Sequence, residues 1–366
     1  MYNRRDDIYW VWLTTVEGIG TATFNRLLRQ NNSPKDIFNA VEGGFLAGSK
    51  LDKDIFFLLR KTAKRQVLER LVDDLERSNT RVLTRNNPNF PSKLMQIHNP
   101  PPVLFVRGKE MDFNALNCIS IVGTRRCSVY GKGIANSFAK YLAKNGVTVV
   151  SGLALGIDTQ AHEGALDARA ENATITVLAN GLDRPYPASN KGLYDRILQN
   201  GCAISEYPPG VFPMPKFFPI RNRLIAGLSK GVLIVEAMKR SGTRFTVDFA
   251  LDSGRDIFAI PGRISDIASE YTLELIKLGA KLVTSPEEIL QEYQTDYKAE
   301  PETPKEKQDV TSSEQLILKA LSQGGKTIDE LFEMTLLPMS HLLQNISLLI
   351  GKDLITRSVI GILEIK

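Results

Sequence analysis

Glycine, serine, threonine and arginine recur at the ends of apolar strands in this chain, a combination whose chemistry is anion binding. Cys118 to Val122 is such a strand; it runs into Gly123-Thr124-Arg125-Arg126 and then a helical segment, Tyr130 to Lys144. Val147 to Val150 is another, leading into Ser151-Gly152-Leu153-Ala154-Leu155-Gly156-Ile157-Asp158 and on to Thr159, His162 and Gly164. Small residues let backbone N–H groups approach a phosphate, and a helix start adds partial positive charge. In Phe217-Phe218-Pro219-Ile220-Arg221-Asn222-Arg223, the apolar Leu224, Ile225 and Leu228 predict an amphipathic helix starting near Arg221. Arginines at a helix start oppose the macrodipole and make sense where an anion sits. Arg240-Ser241-Gly242-Thr243-Arg244 repeats the pattern, with Thr243 as the expected N-cap. The candidate anion contacts are therefore Gly123, Thr124, Arg125, Arg126, Ser151, Gly152, Arg221, Asn222, Arg223, Ser241, Gly242 and Thr243. Phe217 and Phe218 beside them read either as base-stacking faces or as rings buried on a sheet.

Other chemistries fit less well. Gly-x-Gly-x-x-Gly does not follow the first of these strands, and Gly325-Lys326-Thr327 resembles a P-loop end whose first glycine is replaced by Ala320. Ser151 lacks the Gly-x-Ser-x-Gly spacing of a nucleophile elbow. Of three histidines, His98, His162 and His341, only His162 lies near a candidate site. Asp158 and His162, four apart, share a helix face. They read as a base with its orienter or, more simply, as a pair steadying a helix start, because catalysis needs a third convergent group. Glu236 ends the Val232–Val235 strand and is placed to orient an arginine or a loop. No catalytic residue, cofactor or metal site is predicted.

Those strand ends need a sheet to bring them together. The strands Val103–Val106, Cys118–Val122, Val147–Val150, Ile175–Leu178, Cys202–Ser205, Val232–Val235, Ile257–Ile260 and Lys281–Thr284 are short and largely apolar. Helical stretches at 130–144, 157–168, 189–200, 221–229, 243–253 and 270–279 separate many of them. This alternation predicts an α/β domain over 81–293: a Rossmann-like, mostly parallel sheet covered on both faces, with ligands bound at the carboxyl ends of its strands.

Residues 1–80 read as a helical domain. Val16-Glu17-Gly18-Ile19-Gly20 between two helices resembles a helix-hairpin-helix or SAM-like turn that touches phosphates, or is simply a helix end followed by a new start at Thr21. Residues 294–313 read as a charged linker with Pro301 and Pro304. Residues 314–366 then read as three helices and a strand pair, a winged helix. Its third helix, Met339 to Lys352, has Lys352 as its one basic residue apart from His341.

Charge follows the same division. The chain carries +5 overall, and residues 81–292 hold 25 Lys/Arg against 19 Asp/Glu. Residues 1–80 hold 13 against 11, and 311–366 hold 5 against 6. The positive excess lies on the central domain and suits a polyanion. A polar start, Met1 to Asp7, without a signal-peptide apolar region, and only Cys118, Cys127 and Cys202 without metal spacing, predict a cytoplasmic protein.

Taken together these stretches resemble the DprA/Smf family (DNA-processing protein A). The resemblance rests on IVGTRR at 121–126, SGLALGIDTQAHEGAL at 151–166, the run from Gly181 through Tyr186-Pro187, and Ile204-Ser205-Glu206-Tyr207-Pro208. It continues through FPIRNRLIAGLS at 218–229, VEAMKRSGT at 235–243, and Gly254-Arg255 to Pro261-Gly262. It implies a single-stranded DNA-binding homodimer that loads the RecA recombinase during natural transformation. On that basis Arg125, the Ser151-Gly152 turn and Arg221-Asn222-Arg223 belong in the single-strand pocket, with Phe218 as a stacking neighbour. This chain departs from the family's pattern at Arg244-Phe245-Thr246-Val247 and at Ser269-Glu270-Tyr271-Thr272, which bears on pocket geometry rather than fold. The competing expectation is a related Rossmann-like enzyme that cleaves nucleoside monophosphates, for which the glycine cradle beyond Glu236 is largely missing. A third is a protein scaffold whose anion turns are vestigial.

Overall fold

A computed structural model describes residues 4–44, 53–293, 311–322, 324–352, 354–357 and 362–365. They belong to two compact units, Met1–Asp296 and Tyr297–Lys366. The linker expected at 294–313 falls outside the described residues up to 310.

The first unit opens with α1 (Arg4–Thr15), α2 (Thr21–Gln30), α3 (Pro34–Glu42), α4 (Lys53–Thr62) and α5 (Arg65–Arg77). Local sequence sets these bounds. Gly18 takes the left-handed φ of 81° that ends α1. Ser33 caps α3 by accepting from the Asp36 N–H at 3.2 Å, ahead of Pro34 at the first helical position.

The chain then alternates: β1 (Arg81–Thr84), α6 (Ser92–Met95), β2 (Val103–Gly108), β3 (Asn117–Val122), α7 (Val129–Lys144), β4 (Val147–Ser151), α8 (Ile157–Asp167), β5 (Thr174–Val177), α9 (Lys191–Asn200) and β6 (Cys202–Ser205). It continues with α10 (Phe217–Leu228), β7 (Gly231–Ile234), α11 (Thr243–Asp252), β8 (Asp256–Ala259), α12 (Glu270–Lys277), β9 (Lys281–Leu282) and α13 (Glu287–Glu292). The nine strands form one sheet in the order β1-β2-β6-β5-β4-β3-β7-β8-β9. From β6 to β9 every pair is parallel; β2 joins β6 antiparallel and β1 closes the edge. The expected Rossmann-like sheet is thus present, and its strand order reverses between β3 and β7. That reversal opens a crevice at the strand ends.

Alternation along the strands divides the core. On β2, Leu104 and Val106 enter a cluster with Leu224, Ile225, Val247 and Leu275 of α10 to α12. Val103 and Phe105 enter another with Trp12, Phe24, Phe38 and Leu59 of the N-terminal helices and Ile197 of α9. The N-terminal helices therefore share a core with the sheet rather than closing one of their own.

Some elements differ from expectation. β1 escaped notice because Arg-Val-Leu-Thr is short and only half apolar. Helix α10 begins at Phe217, four residues before Arg221, so Arg221 and Arg223 sit in its body. Thr243 is the first helical residue of α11 and Gly242 its N-cap, while the Ser241 hydroxyl accepts from the Thr243 N–H at 3.2 Å.

In the second unit, α14 (Ser312–Leu321), α15 (Ile328–Thr335), α16 (Met339–Gly351), β10 (Ile355–Arg357) and β11 (Leu363–Ile365) surround Ile317, Leu331, Leu342, Leu349 and Ile355. Thr311 and Thr327 each form a capping box, with Glu314 and Glu330. Gly325-Lys326-Thr327 is accordingly the entrance to α15. No helix among the described residues is long and apolar enough to cross a membrane.

Candidate nucleic-acid interface

The β3 turn is fixed by its neighbours. The Thr124 N–H donates to the Glu236 carbonyl at 2.7 Å, and the Arg126 N–H to the Thr124 hydroxyl at 3.2 Å. Ser128 caps α7, and its own N–H donates to the Glu236 carboxylate at 2.9 Å, as does its hydroxyl. Buried Glu236, just past β7, therefore ties the β7 and β3 turns together. Arg125 and Arg126 remain exposed, with no ion pair to either among the described residues.

The β4 turn is built around Asp158. Its carboxylate accepts from the N–H groups of Gly152 at 3.1 Å and Ala154 at 3.4 Å. Arg221 donates to the Gly152 carbonyl at 2.9 Å and to the Val177 carbonyl. Burial pushes the Asp158 carboxyl up to about 6, with the Arg221 charge opposing the rise. Burial pulls Arg221 down to about 10, Asp158 holding it up and Arg125 adding repulsion. His162 bonds instead to the Thr174 hydroxyl at 2.7 Å, and burial holds its ring down at about 3. Asp158 and His162 are thus two separate buried supports rather than a base with its orienter.

These bonds revise one part of the anion-site argument. The N–H groups of Thr124, Arg126, Gly152, Ala154 and Thr243 are already committed within the turns. Positive charge at the strand ends comes chiefly from guanidinium groups, not from a cradle of backbone amides.

Helix α10 supplies the aromatic face. The Phe218 ring centroid lies 5.7 Å from the Arg125 guanidinium carbon and 5.9 Å from that of Arg221. Tyr186, half exposed, approaches the same ring at 5.7 Å. Phe217 turns the other way and stacks on Tyr207 with centroids 4.3 Å apart. Asn222 accepts from Arg221 Nε at 3.2 Å and donates to the Gly242 carbonyl at 3.4 Å, which joins α10 to the start of α11.

Together these elements wall a cleft of about 620 Å³ at the β3/β7 crevice. It is lined by Gly123, Thr124, Arg125 and Arg126 after β3, by Phe218, Arg221 and Asn222 of α10, and by Ser241, Gly242 and Thr243 before α11. Three of the residues read from the sequence lie off it. Ser151 is buried, its hydroxyl donating to the Ile121 carbonyl at 2.7 Å. Gly152 is buried beneath Arg221. Arg223 is buried in an ion pair with Glu206. Sequence reasoning missed Tyr186, Pro215, Met238 and Phe245 on the walls. For Tyr186 and Pro215, the aromatic and Pro-rich loops following β5 and β6 were the available signal. Three guanidinium groups face one carboxylate, Asp158, so the cleft is net positive.

The family model described as DNA recombination-mediator protein A matches residues 81–294. DNA processing protein DprA of Streptococcus pneumoniae is 44% identical over 207 residues, spanning 56% of this chain and 71% of the relative. Protein Smf of Synechocystis sp. is 34% identical over 295 residues, spanning 78% and 72%. An X-ray structure of the Streptococcus pneumoniae protein superposes with a TM-score of 0.68 at 32% identity, covering 79% of this chain and 99% of that one. A Helicobacter pylori DNA processing protein A, whose structure concerns its single-stranded DNA binding mode, gives 0.54 at 32% identity, covering 60% and 99%.

Proposed function

Because this chain belongs to the DNA recombination-mediator protein A family, we propose that its cleft binds single-stranded DNA. One observation carries the reading: exposed Arg125, without an ion pair among the described residues, stands beside the Phe218 ring at the mouth of the β3/β7 crevice. A cation and an aromatic face side by side suit a flexible strand, which offers phosphate and unstacked base together. Arg126, Asn222, Ser241 and Thr243 extend the contact along the walls, while Arg221 holds the floor. The H. pylori relative, with its single-strand binding mode, supports the same ligand.

On this reading the protein is a cytoplasmic homodimer that protects incoming single strands during natural transformation and loads the RecA recombinase onto them. The region matched to the family is its Rossmann-like body, and residues 314–366 act as an accessory winged helix. It has no hydrolytic or transferase activity. The carboxylate that a nucleoside-monophosphate-cleaving relative would need, Glu236, is taken up by Ser128.

The test is binding of single- and double-stranded oligonucleotides across a salt series, with free nucleotides as competitors. Tighter binding of the single strand, weakening with salt as counterions return, is the expected result. Equal affinity for duplex, or displacement by a mononucleotide, would refute it.

A further inference from the structure

Phe212 is a large aromatic residue that the cleft leaves unused, and it is 64% exposed. Its loop, residues 206–216 between β6 and α10, is pinned to the loop after β5. The Gly181 N–H donates to the Val211 carbonyl at 2.9 Å, and the Gly210 N–H to the Asp183 carboxylate at 2.8 Å. Within the loop, the Val211 N–H donates to the Pro208 carbonyl at 3.3 Å. These bonds fix the backbone just before Phe212.

The Arg184 guanidinium lies 4.1 Å from the Phe212 centroid, covering one ring face. Arg184 is two residues before Tyr186, whose ring meets Phe218 at 5.7 Å inside the cleft. One loop thus carries both Tyr186, which meets Phe218 in the cleft, and Arg184, which meets Phe212. The loops that carry Tyr186, Arg184 and Phe212 follow β5 and β6, on the far side of β4 from the β3/β7 crevice.

We propose that Phe212, oriented by Arg184, is a second base-stacking subsite for the strand whose neighbouring nucleotides occupy the cleft. This rests on the cleft being a single-strand site. Arg184 fixes the ring from one side and the exposed side receives a nucleobase, an arrangement tolerant of base identity because every base has a π-face. Arg184 is itself balanced by half-buried Asp183 at 3.5 Å.

The experiment uses the full chain and fluorescent oligothymidylates of about four and about sixteen nucleotides, lengths spanning short and extended single-strand sites. Phe212→Ala should weaken the longer oligonucleotide about tenfold and barely affect the shorter one. Phe212→Trp should keep wild-type affinity, and its fluorescence should be quenched when the longer strand binds. The native Trp10 and Trp12 are buried in the N-terminal helices, so this signal comes from position 212. Unchanged long-strand affinity in Phe212→Ala, or unquenched Trp with the strand bound, would overturn the subsite. If the wild type binds neither oligonucleotide, or Arg125→Ala changes neither affinity, the reading of the cleft itself fails.

Discussion

Arg125 and Arg221 line the same cleft but are held differently, and alanine substitution should separate them. Arg125 is exposed and makes no ion pair among the described residues, so its loss should change stability by no more than about 0.5 kcal/mol. It should remove one phosphate contact. For a single strand each contact contributes about 0.7 to the slope of log affinity against log salt. At about 0.1 M salt that amounts to roughly fivefold in affinity, or about 1 kcal/mol. Arg221 is different. It lies beneath the cleft, donates to the carbonyls of Gly152 and Val177, and faces buried Asp158. Hydrogen bonds made by a charged group contribute about 1.5–3 kcal/mol each, so losing the Arg221 guanidinium should cost at least that much. Without Arg221 the Asp158 carboxyl would rise further above about 6 and take up a proton near neutrality, which limits the loss.

Urea unfolding together with fluorescence anisotropy over a salt series measures both quantities. Arg125→Ala should keep its unfolding midpoint and lose slope. Arg221→Ala should lose midpoint first, and Asp158→Asn should recover part of that loss, because the buried Asp158 charge then no longer lacks the opposing Arg221 charge. An Arg125→Ala protein with wild-type slope and affinity, or one as unstable as Arg221→Ala, would refute this division of roles.

Glu236→Gln should lose about 1–2 kcal/mol in thermal or urea unfolding, because its carboxylate receives the Ser128 N–H and hydroxyl. Neither it nor the wild type should release base from nucleoside monophosphates; release by the wild type that Glu236→Gln abolishes would revive the enzyme reading. Deleting residues 311–366 should leave single-strand affinity within about threefold, under 1 kcal/mol. Lys352, the one Lys or Arg in the predicted third helix, is paired with Glu314 at 2.8 Å, and a hundredfold loss in a folded truncation would contradict this. Neutral His162 contributes stability that is complete above about 6.5 and is lost as pH falls toward about 3, whereas Asp158, raised to about 6, gains stability as pH falls from there toward 3.8. Asp158→Asn removes the compensating gain, so between pH 6 and 4 it should lose up to about 1.4 kcal/mol more per pH unit than the wild type in urea unfolding.

Much of the sheet was legible because buried parallel strands read as short apolar runs, and β3, β4, β6 and β7 fall within a residue or so of their expected ends. Residue type along those strands fixes burial; at their ends it does not fix direction. Ser151 still belongs to β4 and points into the core, although the sequence made it a turn residue. Arg223 shares a helix with Arg221 yet pairs with Glu206, a partner 17 positions away that spacing does not reveal. The apolar spacing of Leu224, Ile225 and Leu228 marks only the body of α10; its first turn, Phe217-Phe218-Pro219-Ile220, holds a proline where a missing N–H is tolerated. The neighbours of Tyr186 and Phe212 do not show in the sequence, because loops following different strands bring Tyr186 near Phe218 and Phe212 near Arg184.

Two glycines explain why the floor of the cleft is rigid while its rim is free. A Cβ on Gly152 would lie 2.8 Å from the Arg221 guanidinium, and a Cβ on Gly131 would overlap the Glu236 carboxylate. Each buried charge therefore packs against a backbone supplied by a different strand connection: Arg221 of α10 against the β4 turn, Glu236 past β7 against the start of α7. The ends of β3, β4 and β7 are locked to one another before any ligand arrives, so binding need not order them. Arg125 and Arg126 lie outside this lock on long flexible side chains. A rigid floor with movable cations suits a ligand whose backbone charge is constant and whose local shape varies from one nucleotide to the next, as in sequence-tolerant recognition of a single strand.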